Sequence, residues 1–585
     1  LYSCLEQIME PKVQQNAKQK DLNPASSDLL MEMAKTHEHC VLTEQAFQDQ
    51  SQHLLSCMAK LLISRGVQRP STIESFPLET KTPWLDYKMC QEFARGKIVN
   101  VLGDDFAEID QHPTRVRLPD GPLLLCHRIM SVTGKPRSMT TGTLVTEHDV
   151  MEGAWYLDDQ KIPMCIAVEA GQADLFLSAY LGIDFETKGQ ACYRLLDAVV
   201  TFHDRLPGIG DTIRYDIRID EFFRQGSTIL FRFAFVASVA GQKLMTMENG
   251  CAGFFTEAEL ASGRGIVKTE LDLKPLPGKV QGGFAPLVEV ARESYSSEQL
   301  DQLRLGNYQA IFGPEFTGLE FKNPKKLPTG MLKLVHRIVD FDPMGGRFSL
   351  GKICGEADIN PDDWFLTCHF VDDMVMPGTL MYECCQHTLR VMLMRLGWVG
   401  ETEELDCDPL QGRPARLKCR GQVLPSSKTV RYEVTLKEIG YAPDAYAVAD
   451  ALMLVDGKPI VEITNISIAH TGYTKQRVEQ IWAHANANTS LAKAKTKPAY
   501  TYEQILAFST GNPSEAFGEP YKVFDQERRI ARLPRPPFQF LDRIDYVNSQ
   551  PWIMKPGGSI TASYDVPKDA WYFEESGVTN DMPFA

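Results

Sequence analysis

Apolar residues crowd most densely between Trp364 and Trp398, WFLTCHFVDDMVMPGTLMYECCQHTLRVMLMRLGW. Thr379 to Leu396 contains no Gly or Pro and is rich in Leu, Met, Val and Cys, which predicts a helix buried on all sides. Pro377-Gly378 breaks the chain before it, and Trp364 to Met376 reads as a loop carrying His369 beside Cys368. After this helix the pattern shifts to alternation, predicting strands at Ala415 to Val423, Thr429 to Glu438, Ala445 to Val455 and Ile460 to Ile468. Asp456-Gly457 lies between the last two as a hairpin turn. An earlier set, Ala191 to Phe202, Asp211 to Asp220, Ile229 to Ala240 and Lys243 to Phe255, has the same rhythm. A buried helix followed by antiparallel strands is an α+β layout with the sheet wrapped on the helix.

The rhythm recurs because the chain repeats. Gly96, Gly306 and Gly511 are each followed seven residues later by Gly103, Gly313 and Gly518. Arg117-Leu-Pro119, Lys326-Leu-Pro328 and Arg532-Leu-Pro534 come next, and an arginine stands nine residues after each proline: Arg128, Arg337 and Arg543. Asp149 with Trp155, Asp358 with Trp364, and Asp565 with Trp571 complete the set. Three units of one fold follow. The boundaries read as a helical linker region over 1–82, units at 83–262 and 296–475, an extended linker over 263–295, a second linker over 476–497, and the start of a third unit over 498–585. The first region holds a helix from Asp28 to Arg65, capped by Ser27 or Asp28, with His37, His39 and His53 in solvent. The third unit stops where its helix is due, and the chain opens on Leu-Tyr-Ser-Cys, so a piece of a longer polypeptide is expected.

At 585 residues the chain needs several cores. A net charge of -15 argues against a nucleic-acid binder. The fourteen cysteines form no Cys-x-x-Cys and are expected reduced, as in a cytoplasmic protein. There is no run of about 18 apolar residues to make a membrane span. Cys368, Cys384, Cys385 and His387 are near one another in sequence, but adjacent helical positions do not face one ion, and they are expected to pack in the core. Arg128 and Arg337 suit structural ion pairs, with a carrier phosphate as the alternative partner.

CHFVDDMVMPG, Cys368 to Gly378, resembles the active-site motif of the bacterial 3-hydroxydecanoyl carrier-protein dehydratase/isomerase family. Leu396 to Trp398, Gly421 to Pro425 and Leu454 to Ile460 are similar to later segments of that family, and serial units with this lead-in resemble the dehydratase region of polyunsaturated fatty acid synthases. The resemblance covers about Pro83 to Ala585. It implies hot-dog folds paired as a double hot dog, and removal of water from a 3-hydroxyacyl thioester on a carrier protein's phosphopantetheine arm. It also implies no metal or organic cofactor. Acyl carrier protein and other synthase domains are the implied partners, and a homodimer is open.

Dehydration needs a base for the C2 proton and an acid for the 3-hydroxyl. His369 corresponds to the family's catalytic histidine, and Glu383, six residues after Pro377, to its aspartate, with Glu in place of Asp. Gly378, at the helix mouth, leaves N–H groups for the thioester oxygen, with Pro377 and Cys368 in support. In the first unit Pro163 follows Trp155 by only 8 positions, where Pro377 follows Trp364 by 13, and the loop carries no such histidine. It does carry Glu169 six residues after Pro163, and Gln172 matching Gln386. In the family the histidine of one hot dog works with the acid of its partner. His369 is therefore expected to pair with Glu169, leaving Glu383 as the alternative acid in a dead site. A hot-dog thioesterase and a non-catalytic docking region are the competing readings.

Overall fold

The computed structural model of the chain describes residues 82–493 and 498–572, except 555, 557 and 568–570. All belong to one compact unit, 82–585; residues 1–81 are a second unit, and the helix expected from Asp28 to Arg65 lies outside the described residues. The first repeat supplies strands β1 (Arg128–Thr133), β2 (Gly142–Asp149), β3 (Cys192–Phe202), β4 (Thr212–Gln225), β5 (Thr228–Val239) and β6 (Gln242–Phe255). Two short strands follow, β7 (Lys279–Gln281) and β8 (Glu293–Tyr295). The second repeat supplies β9 (Arg337–Asp342), β10 (Lys352–Asp358), β11 (Ala415–Cys419), β12 (Thr429–Tyr441), β13 (Asp444–Val455) and β14 (Lys458–Thr474). Among the described residues these fourteen strands form one sheet, in the order β1-β2-β4-β5-β6-β3-β11-β14-β13-β12-β10-β9-β8, with β7 parallel to β12.

The order reads alike from either side of the β3–β11 pair, so the two repeats are related by a pseudo-twofold axis at that seam. There Ala415 faces Val200, Leu417 faces Ala198 and Lys418 faces Asp197 in antiparallel register. Each repeat wraps its sheet around a helix in the hot-dog manner, and the fused pair is a double hot dog. Asp456 and Gly457 both have positive φ, as a two-residue hairpin turn between β13 and β14 requires.

Five helices position the site: α1 (Tyr87–Arg95), α2 (Met164–Glu169), α3 (Asp174–Tyr180), α4 (Trp364–Cys368) and α5 (Gly378–Arg395). Only Gly378 and Tyr382 on α5 are less than fully buried, because β10, β12, β13, β14 and α2 enclose it. Its buried charges are paired: Arg390 donates to Asp158 at 2.6 Å and Arg395 to Glu293. The helix ends in a Schellman motif at Gly397, φ 110°, with Trp398 N–H on Leu393 O and Gly397 N–H on Met394 O.

The first repeat differs from its twin. Its helix is interrupted between α2 and α3, where Gly171 sits under the Phe235 ring, so close that a Cβ would lie 2.7 Å from it. Tyr215 Oη donates to the Ala167 carbonyl, 2.6 Å away. Part of the loop expected before Pro377 is the helical turn α4. The stretch read as a linker after β14 is a helix, Lys475–Lys493; Val478, Ile481 and Trp482 are buried, and the Trp482 indole donates to Gly397 O at 2.7 Å. Residues 263–295 are mostly extended but docked, through β7 on β12 and β8 on β9.

The repeated anchors are structural ties. Arg128 holds Glu147 and Asp149, Arg337 holds Glu356 and Asp358, and Arg543 holds Asp565. Asp149 is drawn down to a pKa of about 2, chiefly by its bonds from Arg128. Arg117 and Arg532 donate to the carbonyls of Gly96 and Gly511. The indoles of Trp155, Trp364 and Trp571 donate to Pro122, Met331 and Pro537 carbonyls. In the third repeat, β15 (Arg543–Asn548) and β16 (Ser559–Ser563) form a separate hairpin.

Leu389, fully buried on α5, tests the central helix. Leu389→Ala is expected to lower stability by about 2–5 kcal/mol, read from the urea midpoint. A loss under about 1 kcal/mol would contradict a packed centre.

Candidate active site

His369 follows α4 in a tight loop that returns to Pro377. Its Nδ1 lies 2.8 Å from Val375 O. A carbonyl only accepts, so the proton sits on Nδ1 and Nε2 is left with its lone pair. That Nε2 stands 3.7 Å from Glu169 Oε1, at the end of α2 in the other repeat. The second Glu169 oxygen takes the Thr379 hydroxyl at 2.5 Å. Both groups are buried, and burial holds His369 below its ordinary pKa against the opposing pull of Glu169. The histidine is therefore neutral at neutral pH.

The two side chains line a pocket of about 600 Å³, counting the part open to solvent. Gly378 opens α5 on the pocket wall, and a Cβ there would meet only Cys419 Sγ, at 3.9 Å. An α-helix leaves its first N–H groups without intrahelical acceptors, so α5 brings donors to the pocket beside His369. Leu175, Leu195, Met376, Met381 and Val461 give it apolar walls. Gln172 is in the pocket, with Nε2 on Met247 Sδ at 3.7 Å and Oε1 accepting Tyr193 Oη at 3.5 Å. Pro377 caps α5 from an extended conformation. Cys368 is buried, its thiol pushed up to about 12 by desolvation, and its carbonyl accepts Asp120 N–H from the first repeat.

Glu383 is elsewhere. Its Oε2 accepts the Cys165 N–H at 3.1 Å, and its Oε1 is 3.2 Å from His387 Nε2. It lines the mirror-related pocket with Met164, which stands where Gly378 stands in the twin. The short loop of the first repeat brings no histidine there. It presents Asp158, paired with Arg390; Lys161 reaches Asp406 and Asp408, and Lys325 reaches Asp159. Charge pairs line this mirror pocket, which at about 450 Å³ is smaller than the 600 Å³ of its twin. Among the described residues no group of three or more His, Cys, Asp or Glu is placed to hold a metal ion, and no helix is long and apolar enough to cross a membrane.

Several residues at the site carry no obvious sequence signal. Thr379, Tyr193 and Arg194 belong to it only through the fold, although Thr379 and Cys165 are equivalent by count from Pro377 and Pro163. Asp174, fully buried, accepts Tyr193 Oη at 3.1 Å, and burial pushes its carboxyl up to about 7. A carboxyl raised in the fold contributes stability when protonated and loses it as pH rises. Asp174→Asn removes this dependence. Relative to the variant, the wild type is expected to lose on the order of 4 kcal/mol between about pH 4 and pH 7, then level off. Chemical denaturation at three pH values reads this out, and a pH-independent difference would contradict it.

A model of the FabA-like domain matches residues 327–464, which include His369, Gly378 and Glu383. One of the polyunsaturated fatty acid synthase subunits of Thraustochytrium sp. (strain ATCC 26185 / S-3) is 35% identical over 378 residues, 63% of this chain and 25% of that protein. The chain thus spans about a quarter of the length of this relative. Among solved structures, a putative oleoyl thioesterase from Lactobacillus plantarum aligns with TM-score 0.31 at 9% identity, covering 57% of this chain and 98% of that one. The dehydratase domain from the CurJ module of curacin polyketide synthase aligns with TM-score 0.31 at 8% identity, covering 60% and 97%. Residues 327–464 are similar to the FabA-like domain, and the chain around them is similar to part of a polyunsaturated fatty acid synthase.

Proposed function

We propose that the double hot dog dehydrates 3-hydroxyacyl thioesters, presented on an acyl carrier protein, to 2-enoyl thioesters within a fatty-acid synthase. The observation that carries this reading is the bare Nε2 of His369 facing Glu169 Oε1 across the seam at 3.7 Å, in a pocket at the mouth of α5. His369 takes the C2 proton, which an imidazole neutral at working pH does well. Negative charge grows on the thioester oxygen, where the N-terminus of α5 stabilises it. Glu169 gives its proton to the 3-hydroxyl as the C3–O bond breaks, and water leaves. The proton on His369 then returns to Glu169, so each turnover closes without a cofactor. Thr379 holds the Glu169 carboxyl in place.

His369→Ala and Glu169→Gln are each expected to lower kcat by at least about 100-fold, while Glu383→Gln keeps most of it. The assay is reversible gain of enoyl absorbance from a 3-hydroxyacyl thioester. Loss of activity in Glu383→Gln alone would place the acid within the second repeat, and release of free acid would favour the thioesterase reading. The acidic limb of kcat/KM is expected below about pH 6.5, the ordinary histidine value, because burial favours the neutral ring. A limb above it would contradict the proposed base.

A further inference from the structure

We infer that Arg194, on β3 of the first repeat, is a positioning residue that latches the His369 loop of the second repeat through Asp373. This rests on the dehydratase reading given above. Arg194 Nη1 and Nη2 meet the two Asp373 oxygens at 2.5 and 2.9 Å, a bidentate pair. Nε donates to Gln422 Oε1 at 2.7 Å, and Nη1 also donates to Tyr193 O at 2.6 Å. Each guanidinium nitrogen is engaged, so although Arg194 borders the pocket it is committed to protein acceptors.

The path from the latch to the base is short. Phe370 N–H donates to Asp373 O, and Asp373 N–H to Phe370 O, closing the loop on itself. Val375, two residues on, supplies the carbonyl that takes the His369 Nδ1 proton, and its N–H returns to His369 O. Met376 N–H bonds to Val423 O, next to Gln422. Arg194 thus grips the loop at Asp373 and the strand behind it at Gln422. Neighbouring Asp372 is held at 2.6 Å by Arg117, a buried arginine also of the first repeat. The loop carries the base, and the first repeat, which carries Glu169, fixes where it stands. A displacement of about 1 Å between such groups is enough to lose roughly 100-fold in rate.

The test uses the full chain and an N-acetylcysteamine 3-hydroxyacyl thioester, with Arg194→Gln, Asp373→Asn and the double variant. Each single variant is expected to lower kcat by roughly 10- to 100-fold with little change in KM, and the double variant to be no worse than the less active single. His369 faces Glu169, Asp373 and Arg194, so its imidazole titration, followed by NMR, separates a latch from general damage. Arg194→Gln leaves Asp373 uncompensated and moves the titration up. Asp373→Asn leaves Arg194 uncompensated and moves it down. Unchanged kcat with an unmoved titration overturns the inference, as does a rise in KM alone, which would make Arg194 a substrate contact. An inactive wild type would overturn the dehydratase reading instead, while opposite titration shifts would still uphold the latch.

Discussion

Everything at the site depends on the antiparallel pairing of β3 with β11. Each hot dog alone would end in a strand with unpaired N–H and C=O groups, an invitation to association. Pairing the two edges satisfies both ladders and makes one sheet of two. It also sets α2 against α5, so that the last residue of one helix meets the first turn of the other. Neither repeat alone brings a carboxyl group within reach of His369, which stands 3.7 Å from Glu169 of the other. The seam creates that pair.

The axis that makes one pocket makes a second, and the two differ by few residues. Gly378 stands at the wall of one pocket where Met164 stands in its counterpart. A loop five residues longer brings His369 into one, and the shorter loop brings Asp158 into the other. Buried charges must be paired to be tolerated, and the mirror pocket pairs Asp158, Asp159, Asp406 and Asp408 with Arg390, Lys325 and Lys161. The same symmetric backbone therefore gives two pockets of different chemistry, one lined by His369 and Glu169 and one by paired charges.

Much of this was legible in the chain. The strands of both repeats lie within a few residues of where alternation puts them, most plainly β4 and β12, which turn alternate residues toward the core. α5 was plain from its unbroken apolar run. Counting from Pro163 and Pro377 located Glu169 and Glu383, and the unequal loops separated the two pockets. What sequence missed was tertiary. The break after α2 depends on Phe235 pressing on Gly171, a contact 64 residues away in the chain. The helix after β14 is made by Trp482 finding Gly397. Arg194 and Thr379 are polar residues like many others until the seam gives them partners, and Tyr193 until the fold brings it to Asp174.

Joining the repeats in one chain has a consequence for how such a site can change. In a dimer of identical hot dogs every substitution appears twice, once in each pocket, and must suit both. Here the Gly378 and Met164 positions are separately encoded, so one can be kept small for a ligand while the other is filled for packing. The first repeat is then free to drift away from the seam, provided it still brings Glu169 to His369 and closes the sheet, and the mirror pocket can diverge without altering the one that His369 lines.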